Sequence, residues 1–273
     1  MTLLQAIVLG LVQGITEFLP ISSTAHLRIV PALLAWPDPG AAYSAIIQLG
    51  TVAAVIIYFG RDLLRLLGAF FTGVRSGKPF ETPDAKLAWC VGLGTIPIGI
   101  LGLLLKKRIE NDFRSLYVIA TSLIVLGLVL FVVERIAAKK RAIGDVTVKD
   151  GLIVGLWQAL ALVPGSSRSG TTITGAMLRG FTREDAARFS FLLSIPATGL
   201  AGVFQLREVL HATERPSMLL LAVGTGVSFV SGIAAIAFLL KLLRTRTLLG
   251  FVAYRVSMGA LLLGLLFSGT LHA

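Results

Sequence analysis

Six apolar runs, each close to the length of a bilayer-crossing helix, share this chain with two proline-centred clusters of hydroxyls and glycine. The runs are residues 41–59, 87–105, 116–133, 186–206, 218–240 and 248–267. About 20 apolar residues are needed to cross hydrocarbon as a helix. There, every backbone N–H and C=O must be satisfied within the protein. The pattern therefore predicts an all-α polytopic membrane protein. Only 14% of residues are charged, against about 25% in a soluble domain, and mean hydropathy is +0.87. A soluble all-helical core does not fit these values.

The two clusters break this order. Residues 3–19 are apolar but short, and Pro20 ends them. Ser22 can cap a second short helix carrying Ser23 and His26. A helix–break–helix at membrane depth is tolerated only where it lines a cavity. Residues 3–35 are therefore expected to form a re-entrant hairpin, and residues 151–180 a second one. Gly10-Leu11-Val12-Gln13 corresponds to Gly155-Leu156-Trp157-Gln158, and each leads, with one gap, to Pro-x-Ser-Ser. Phe59-Gly60-Arg61-Asp62 likewise resembles Gln205-Leu206-Arg207-Glu208. The expected organisation is one membrane domain made of repeat one (1–133), a hydrophilic linker (134–149) and repeat two (150–273).

Each repeat holds one hairpin and three crossings, so the second is expected to be inverted relative to the first. Loops 60–86, 134–149 and 241–247 carry 5, 5 and 3 Lys+Arg, 13 in all; loops 106–115 and 207–217 carry 4 and 2, or 6. That asymmetry places the first group in the cytoplasm, although Lys106-Lys107-Arg108 runs against it. The hairpin tips are then expected to meet near the midplane. The net charge of +11 is read as basic loops facing anionic lipid. No aromatic-basic interleaving points to nucleic acid. Cys90 is alone, so no intrachain disulfide is possible. Residues 62–80, basic and rich in phenylalanine, suit a membrane surface. Arg61, Arg65, Arg207 and Lys139-Lys140-Arg141 are read as solvated loop charge.

Glu17 and Arg168 are the key pair, because an ionisable group inside a membrane is a functional candidate by default. The planar fork of Arg168 suits phosphate. Ser166, Ser167, Ser169 and Thr172 add hydroxyls, and Gly165 and Gly170 allow close backbone approach. A helix starting after Pro164 would aim free N–H groups at the same anion. The stretch is not a Walker A loop, since no Gly-Lys-Ser/Thr follows. Nor is it the lipid-phosphatase signature with a nearby downstream His: the next histidine is His211. Ser23 can be a nucleophile with His26, three residues on, taking its proton; Ser22 and Thr24 flank it as substrate-binding candidates. Gln13 and Glu17, four apart, share a helix face and offer oxygens to Mg²⁺ or Ca²⁺, with substrate and water completing the shell. Arg255, inside the last span, has two readings: a phosphate contact, or snorkelling to the cytoplasmic side. Gln48, Pro97 and Pro196 are read as packing features.

At Gln13-Gly14-Ile15-Thr16-Glu17, continuing through Pro20-Ile21-Ser22-Ser23-Thr24-Ala25-His26, and at Pro164-Gly165-Ser166-Ser167-Arg168-Ser169-Gly170-Thr171-Thr172, the sequence resembles the undecaprenyl pyrophosphate phosphatases, the bacitracin-resistance family of bacterial inner-membrane enzymes. Ile47-Gln48-Leu49-Gly50 and Tyr254-Arg255 look like further family segments. The resemblance implies a polyprenyl diphosphate substrate, hydrolysed to the monophosphate and phosphate for peptidoglycan synthesis. It also implies a divalent cation, a multi-pass place in the inner membrane and a site opening to the periplasm. By the same resemblance Glu17 is a metal or catalytic acid residue, Ser23 and His26 are nucleophile and base candidates, and Arg168 clamps phosphate with Ser167, Ser169 and Thr172. Many family members carry Glu where this chain has Gln13, which leaves one carboxylate in the motif. The rival class is a polyprenyl-phosphate transporter or flippase: a carrier needs the anion site but not the Ser23–His26 pair. A homodimer is compatible with either.

Overall fold

The computed structural model describes residues 1–110, 113, 115–211 and 217–271. Among them are twelve α-helices and no strand. They are α1 (Leu3–Phe18), α2 (Ser23–Leu33), α3 (Gly40–Tyr58), α4 (Gly60–Arg75), α5 (Pro83–Leu104), α6 (Lys106–Glu110), α7 (Leu116–Ile136), α8 (Val148–Ala159), α9 (Arg168–Leu178), α10 (Arg183–His211), α11 (Met218–Leu243) and α12 (Leu249–Phe267). Five are long and apolar enough to cross a membrane, and α3 with α4 makes a sixth if that bent pair counts as one span. The protein is a multi-pass membrane protein.

Both broken stretches form helix pairs. Thr2 opens α1 with a capping box, closed by the Gln5 side chain. Pro20 cannot continue the helix, and Ser22 accepts from the Ala25 N–H to start α2. Ser167 does the same for Gly170 at the head of α9. Each hairpin lies along a crossing helix of the other half: α1 along α11, and α8 along α5. A Cβ at Gly10 would sit 2.6 Å from the Gly224 carbonyl, and one at the equivalent Gly155 would sit 2.5 Å from the Gly94 carbonyl. Only glycine allows either approach. Between helices in lipid, such close van der Waals packing replaces removal of surface from water as the driving force. Across the halves, α7 packs on α12 and α3 on α10.

Three expectations need correction. Residues 60–75 are not loop but α4, bent 77° from the helix before it. The Leu/Phe positions repeat with helical spacing, Leu66 is buried, and Phe70 packs 5.0 Å from Trp89 of α5. Residues 207–211 of the expected loop 207–217 are helix, because α10 runs on to His211; Arg114 and Arg215 of the charge count lie outside the described residues. The linker is not simply solvated. Arg141 forks onto both oxygens of Asp150, which is fully buried, and also donates to the Arg179 carbonyl. Arg179 and Thr147 donate to the same carboxylate. Burial alone would raise the Asp150 pKa, but donors from Arg141, Thr147 and Arg179 outweigh it and hold the carboxyl well below its ordinary value. Arg183 similarly pairs with buried Glu134 at the end of α7. These ion pairs tie the linker and α7 to the open end of the second hairpin.

Candidate active site

The starts of α2 and α9 stand at a constant offset of 145, the offset of Gly10-Leu11-Val12-Gln13 from Gly155-Leu156-Trp157-Gln158, whereas Pro20 and Pro164 keep the one-residue gap. Gln13 pairs with Gln158, and the two N-cap residues, Ser22 and Ser167, then coincide. They share an unusual backbone, φ 76° and φ 68°, in the left-handed region that non-glycine residues avoid. Such strain persists only where surrounding structure enforces it, and it clusters at functional sites. In this register Ser23 and Arg168, the first residues of α2 and α9, occupy equivalent places and face one carboxylate.

That carboxylate is Glu17. Its Oε1 accepts from Arg168 Nη2 at 2.8 Å. Its Oε2 accepts from Ser23 Oγ at 2.6 Å and from Gln13 Nε2 at 2.9 Å. All four residues are largely buried: Gln13 0%, Glu17 6% and Ser23 7% exposed, with the Arg168 side chain at 11%. A buried ion pair is not strong support for stability, but removing one partner is costly. Two polar atoms at this point are buried with no hydrogen-bond partner: Gln13 Oε1, an acceptor, and Arg168 Nε, a donor. Native proteins leave few such atoms.

The remaining candidates divide. Ser169 Oγ donates to the Leu19 carbonyl, stitching α9 to the first break. Ser167 Oγ lies 3.2 Å from Ser169 Oγ, and Ser22 Oγ 3.1 Å from Thr24 Oγ1. Thr172 is fully buried beneath the site and bonds the Arg168 carbonyl and Ser190 Oγ. Gly165 has φ 92°, and a Cβ there would meet the Ile119 carbonyl at 2.5 Å. Ser166 and Gly165 present carbonyls to Arg255, and Gly170 passes against the Arg255 Nη1.

His26 is not the partner of Ser23. Its Nδ1 bonds the Ser22 carbonyl at 2.7 Å, and its Nε2 bonds the Tyr254 hydroxyl at 2.6 Å, with the rings stacked. A carbonyl only accepts, so Nδ1 carries a proton and, in a neutral ring, Nε2 accepts from Tyr254. The reason is helical geometry: a side chain four residues past the N-cap reaches back to that residue's carbonyl, while the serine one residue past the cap turns toward α1.

Arg255 follows neither sequence reading. It is fully buried, and its guanidinium donates only to carbonyls: Leu123 and Ser122 of α7, Pro20 of the first break, and Gly165 and Ser166 of the second. It holds both breaks against α7. Its charge has no carboxylate partner among these bonds, so it adds positive potential behind the tips. Ser190 went unnoticed in the sequence: its carbonyl takes Arg168 Nη1 at 3.0 Å. A serine inside an apolar span gave no signal for that role.

A model of the bacitracin resistance protein BacA matches residues 6–261 of the chain. The undecaprenyl-diphosphatase of Myxococcus xanthus is 65% identical over 99% of this chain and 91% of its own. Those of Chloroherpeton thalassium and Chlorobium phaeobacteroides are 53% and 50% identical over the whole of both chains. A match of this extent, with relatives this similar from end to end, makes the chain a member of the BacA bacitracin resistance family.

Proposed function

We propose that this chain hydrolyses undecaprenyl diphosphate to undecaprenyl phosphate and inorganic phosphate in the bacterial inner membrane, returning the lipid carrier to cell-wall synthesis and so conferring bacitracin resistance. One observation carries the reading. Ser23 Oγ lies 2.6 Å from a carboxylate whose other oxygen is held by Arg168, and Arg168 Nε is a buried donor without a partner. A hydroxyl, a base and a free phosphate donor converge at one point.

Ser23 Oγ attacks the terminal phosphorus and its proton passes to Glu17 Oε2. The bond from that phosphorus to the bridging oxygen breaks, and undecaprenyl phosphate leaves with the electron pair. Water then attacks the phosphoserine phosphorus, the bond from phosphorus to Ser23 Oγ breaks, Glu17 returns its proton to that oxygen, and both water protons leave with the released phosphate. Arg168 and the first turns of α2 and α9 neutralise the phosphoryl oxygens as charge spreads over them. His26 positions the turn that carries Ser23 through the Ser22 carbonyl.

The residues also fit a divalent cation, Mg²⁺ or Ca²⁺. Gln13 Oε1 is a partnerless acceptor beside Glu17, so these two would hold the ion, and it would supply further neutralisation of phosphate charge. No cluster of three or more acidic, His or Cys ligands exists among the described residues. Substrate oxygens and water would fill the shell.

The contacts of the hairpins support their entry from opposite faces. α1 meets α11 near the start of that span, with Gly10 against Gly224, whereas the start of α8 meets the first half of α5, with Gly151 against Cys90 and Gly155 against Gly94. With the basic loops in the cytoplasm, the first hairpin opens to the periplasm, where the diphosphate would be met. A flippase would need the phosphate donors but not the Ser23–Glu17 pair. The test is phosphate release from undecaprenyl diphosphate by the purified protein in detergent, with and without EDTA, for wild type and Ser23→Ala. The proposal expects release that EDTA suppresses and that the variant loses. A folded wild type that released nothing with Mg²⁺ or Ca²⁺ supplied would overturn it.

A further inference from the structure

A second polar site lies at the 77° bend between α3 and α4. There the end of α11 and the start of α10 enclose a cavity of about 360 Å³. Its apolar lining is the buried Phe59 and Leu240 with the exposed Tyr58. Its rim is basic, with Arg188, Lys241 and Arg244. We propose that this cavity binds the phosphate headgroup of an anionic membrane phospholipid.

Charge is the first argument. Asp62 and Glu184 also line the cavity, leaving three cations against two carboxylates. Arg188 bonds Asp62 at 3.1 Å, but Asp62 already pairs with Arg65 on its other oxygen. Arg244 pairs with Glu184, and that pair is open to solvent, its arginine side chain 65% exposed, so it is weak. Lys241 has no carboxylate partner among the described residues. One positive charge is therefore uncompensated, and a second is only loosely held. The positive end of the α10 dipole adds to them, offset by Glu184 and Asp185 in its first turn and by the negative end of α11 beside Lys241 and Arg244.

Position is the second. Lys241 and Arg244 close α11, and Arg188 lies in the second turn of α10; both are candidate spans. The cavity thus lies at the ends of candidate spans, where a spanning helix meets the headgroup layer, beside the buried Phe59 and Leu240. A basic pocket between helix ends on the cytoplasmic side is the arrangement that takes acidic lipid headgroups. Free phosphate would gain nothing from Tyr58, Phe59 and Leu240. A lipid phosphate buries its glycerol and upper acyl carbons there. None of these residues takes part in the hairpin site, so the inference stands apart from the proposed reaction.

The test uses the delipidated protein in maltoside detergent. Phosphatidylglycerol, phosphatidylcholine and inorganic phosphate are each titrated, and thermal stabilisation is followed. Phosphatidylglycerol is expected to stabilise the wild type at concentrations where the other two do nothing. In Lys241→Gln/Arg244→Gln its midpoint should rise about 30-fold, roughly fivefold for each lost cation. Both side chains are exposed, so the lipid-free unfolding temperature and the phosphatase rate should stay at wild-type values. If the double variant does not fold, Lys241→Glu alone, which breaks no ion pair, should still weaken the midpoint at least fivefold. Equal stabilisation by phosphatidylcholine, an unmoved midpoint in the variants, or inorganic phosphate acting at the same midpoint as the lipid would each overturn the proposal.

Discussion

Ser23 Oγ donates to Glu17 Oε2 at 2.6 Å, while His26, on the same short helix, is engaged on both ring nitrogens by the Ser22 carbonyl and Tyr254. The Ser23 hydroxyl is therefore hydrogen-bonded to a carboxylate from α1, six residues earlier in the chain, and the proposed mechanism makes that carboxylate its base. Positioned acid–base groups contribute about 10²–10⁴ in rate. Glu17→Gln keeps the shape and is expected to lower phosphate release by that range, with Ser23→Ala at least as severe. Initial rates at saturating substrate measure both; a Glu17→Gln rate within a fewfold of wild type would return the base role to His26.

In the proposed mechanism His26 and Tyr254 act on position, through the contacts His26 makes to the Ser22 carbonyl and the Tyr254 hydroxyl. Tyr254→Phe removes one hydrogen bond, worth about 1 kcal/mol, and should cost about fivefold in kcat/KM without changing the pH at which the rate is half-maximal. His26→Gln should lose less than Ser23→Ala. Equal losses in His26→Gln and Ser23→Ala would contradict the assignment.

Arg255 offers its donors to five carbonyls from three segments. Arg255→Met leaves those buried acceptors unpaired, at about 1–3 kcal/mol for each that finds no other donor. The expected result is a lower unfolding temperature in detergent together with lost activity, because both breaks are released from α7. Arg255→Lys should recover part of the stability and little of the activity, since an ammonium cannot span the same carbonyls. Unfolding curves and phosphate release on the same preparations check this.

The sequence revealed the two proline breaks, the serine caps, the Glu17–Arg168 pair and all six apolar runs, because proline, capping hydroxyls and charges in hydrocarbon leave local marks. Three-dimensional partnering leaves none. The one-gap alignment matched Pro20 to Pro164, but the helices start at Ser23 and Arg168, which align without a gap. Backbone geometry, not the proline, sets that register. Arg141 looked like loop charge because its partner, Asp150, lies on another element and is hidden. Arg255 was legible as an intramembrane cation, yet its partners are carbonyls, which every residue has.

Asp150 gives a pH prediction. Its folded pKa lies below the ordinary carboxylate value, so the native state binds this proton more weakly than the unfolded chain does. The stability it contributes is present at neutral pH and is lost as pH falls from the ordinary value toward the depressed one. Asp150→Asn should unfold at a lower temperature than wild type at pH 7, with the gap narrowing only below about pH 4. A gap that stayed constant into that acid range would separate the carboxylate from the stability of the linker.

Gly165 combines φ 92° with a carbonyl 2.5 Å from where a Cβ would stand. Gly165→Ala must move the second break off α7, so activity should fall at least tenfold while phosphatidylglycerol stabilisation at the α3–α4 bend persists. Phosphate release and the lipid titration, run together, check both halves.

The identity of the attacking group is decided by rapid quench of the wild-type protein in neutral SDS, which preserves both phosphoserine and acid-labile phosphohistidine, after reaction with undecaprenyl diphosphate labelled at the terminal phosphorus, followed by peptide mapping at neutral pH. Covalent label on Ser23, absent in Ser23→Ala, is the expected result. Label on His26, or full turnover with no covalent label at any time point and undiminished rate in Ser23→Ala, would contradict attack by Ser23.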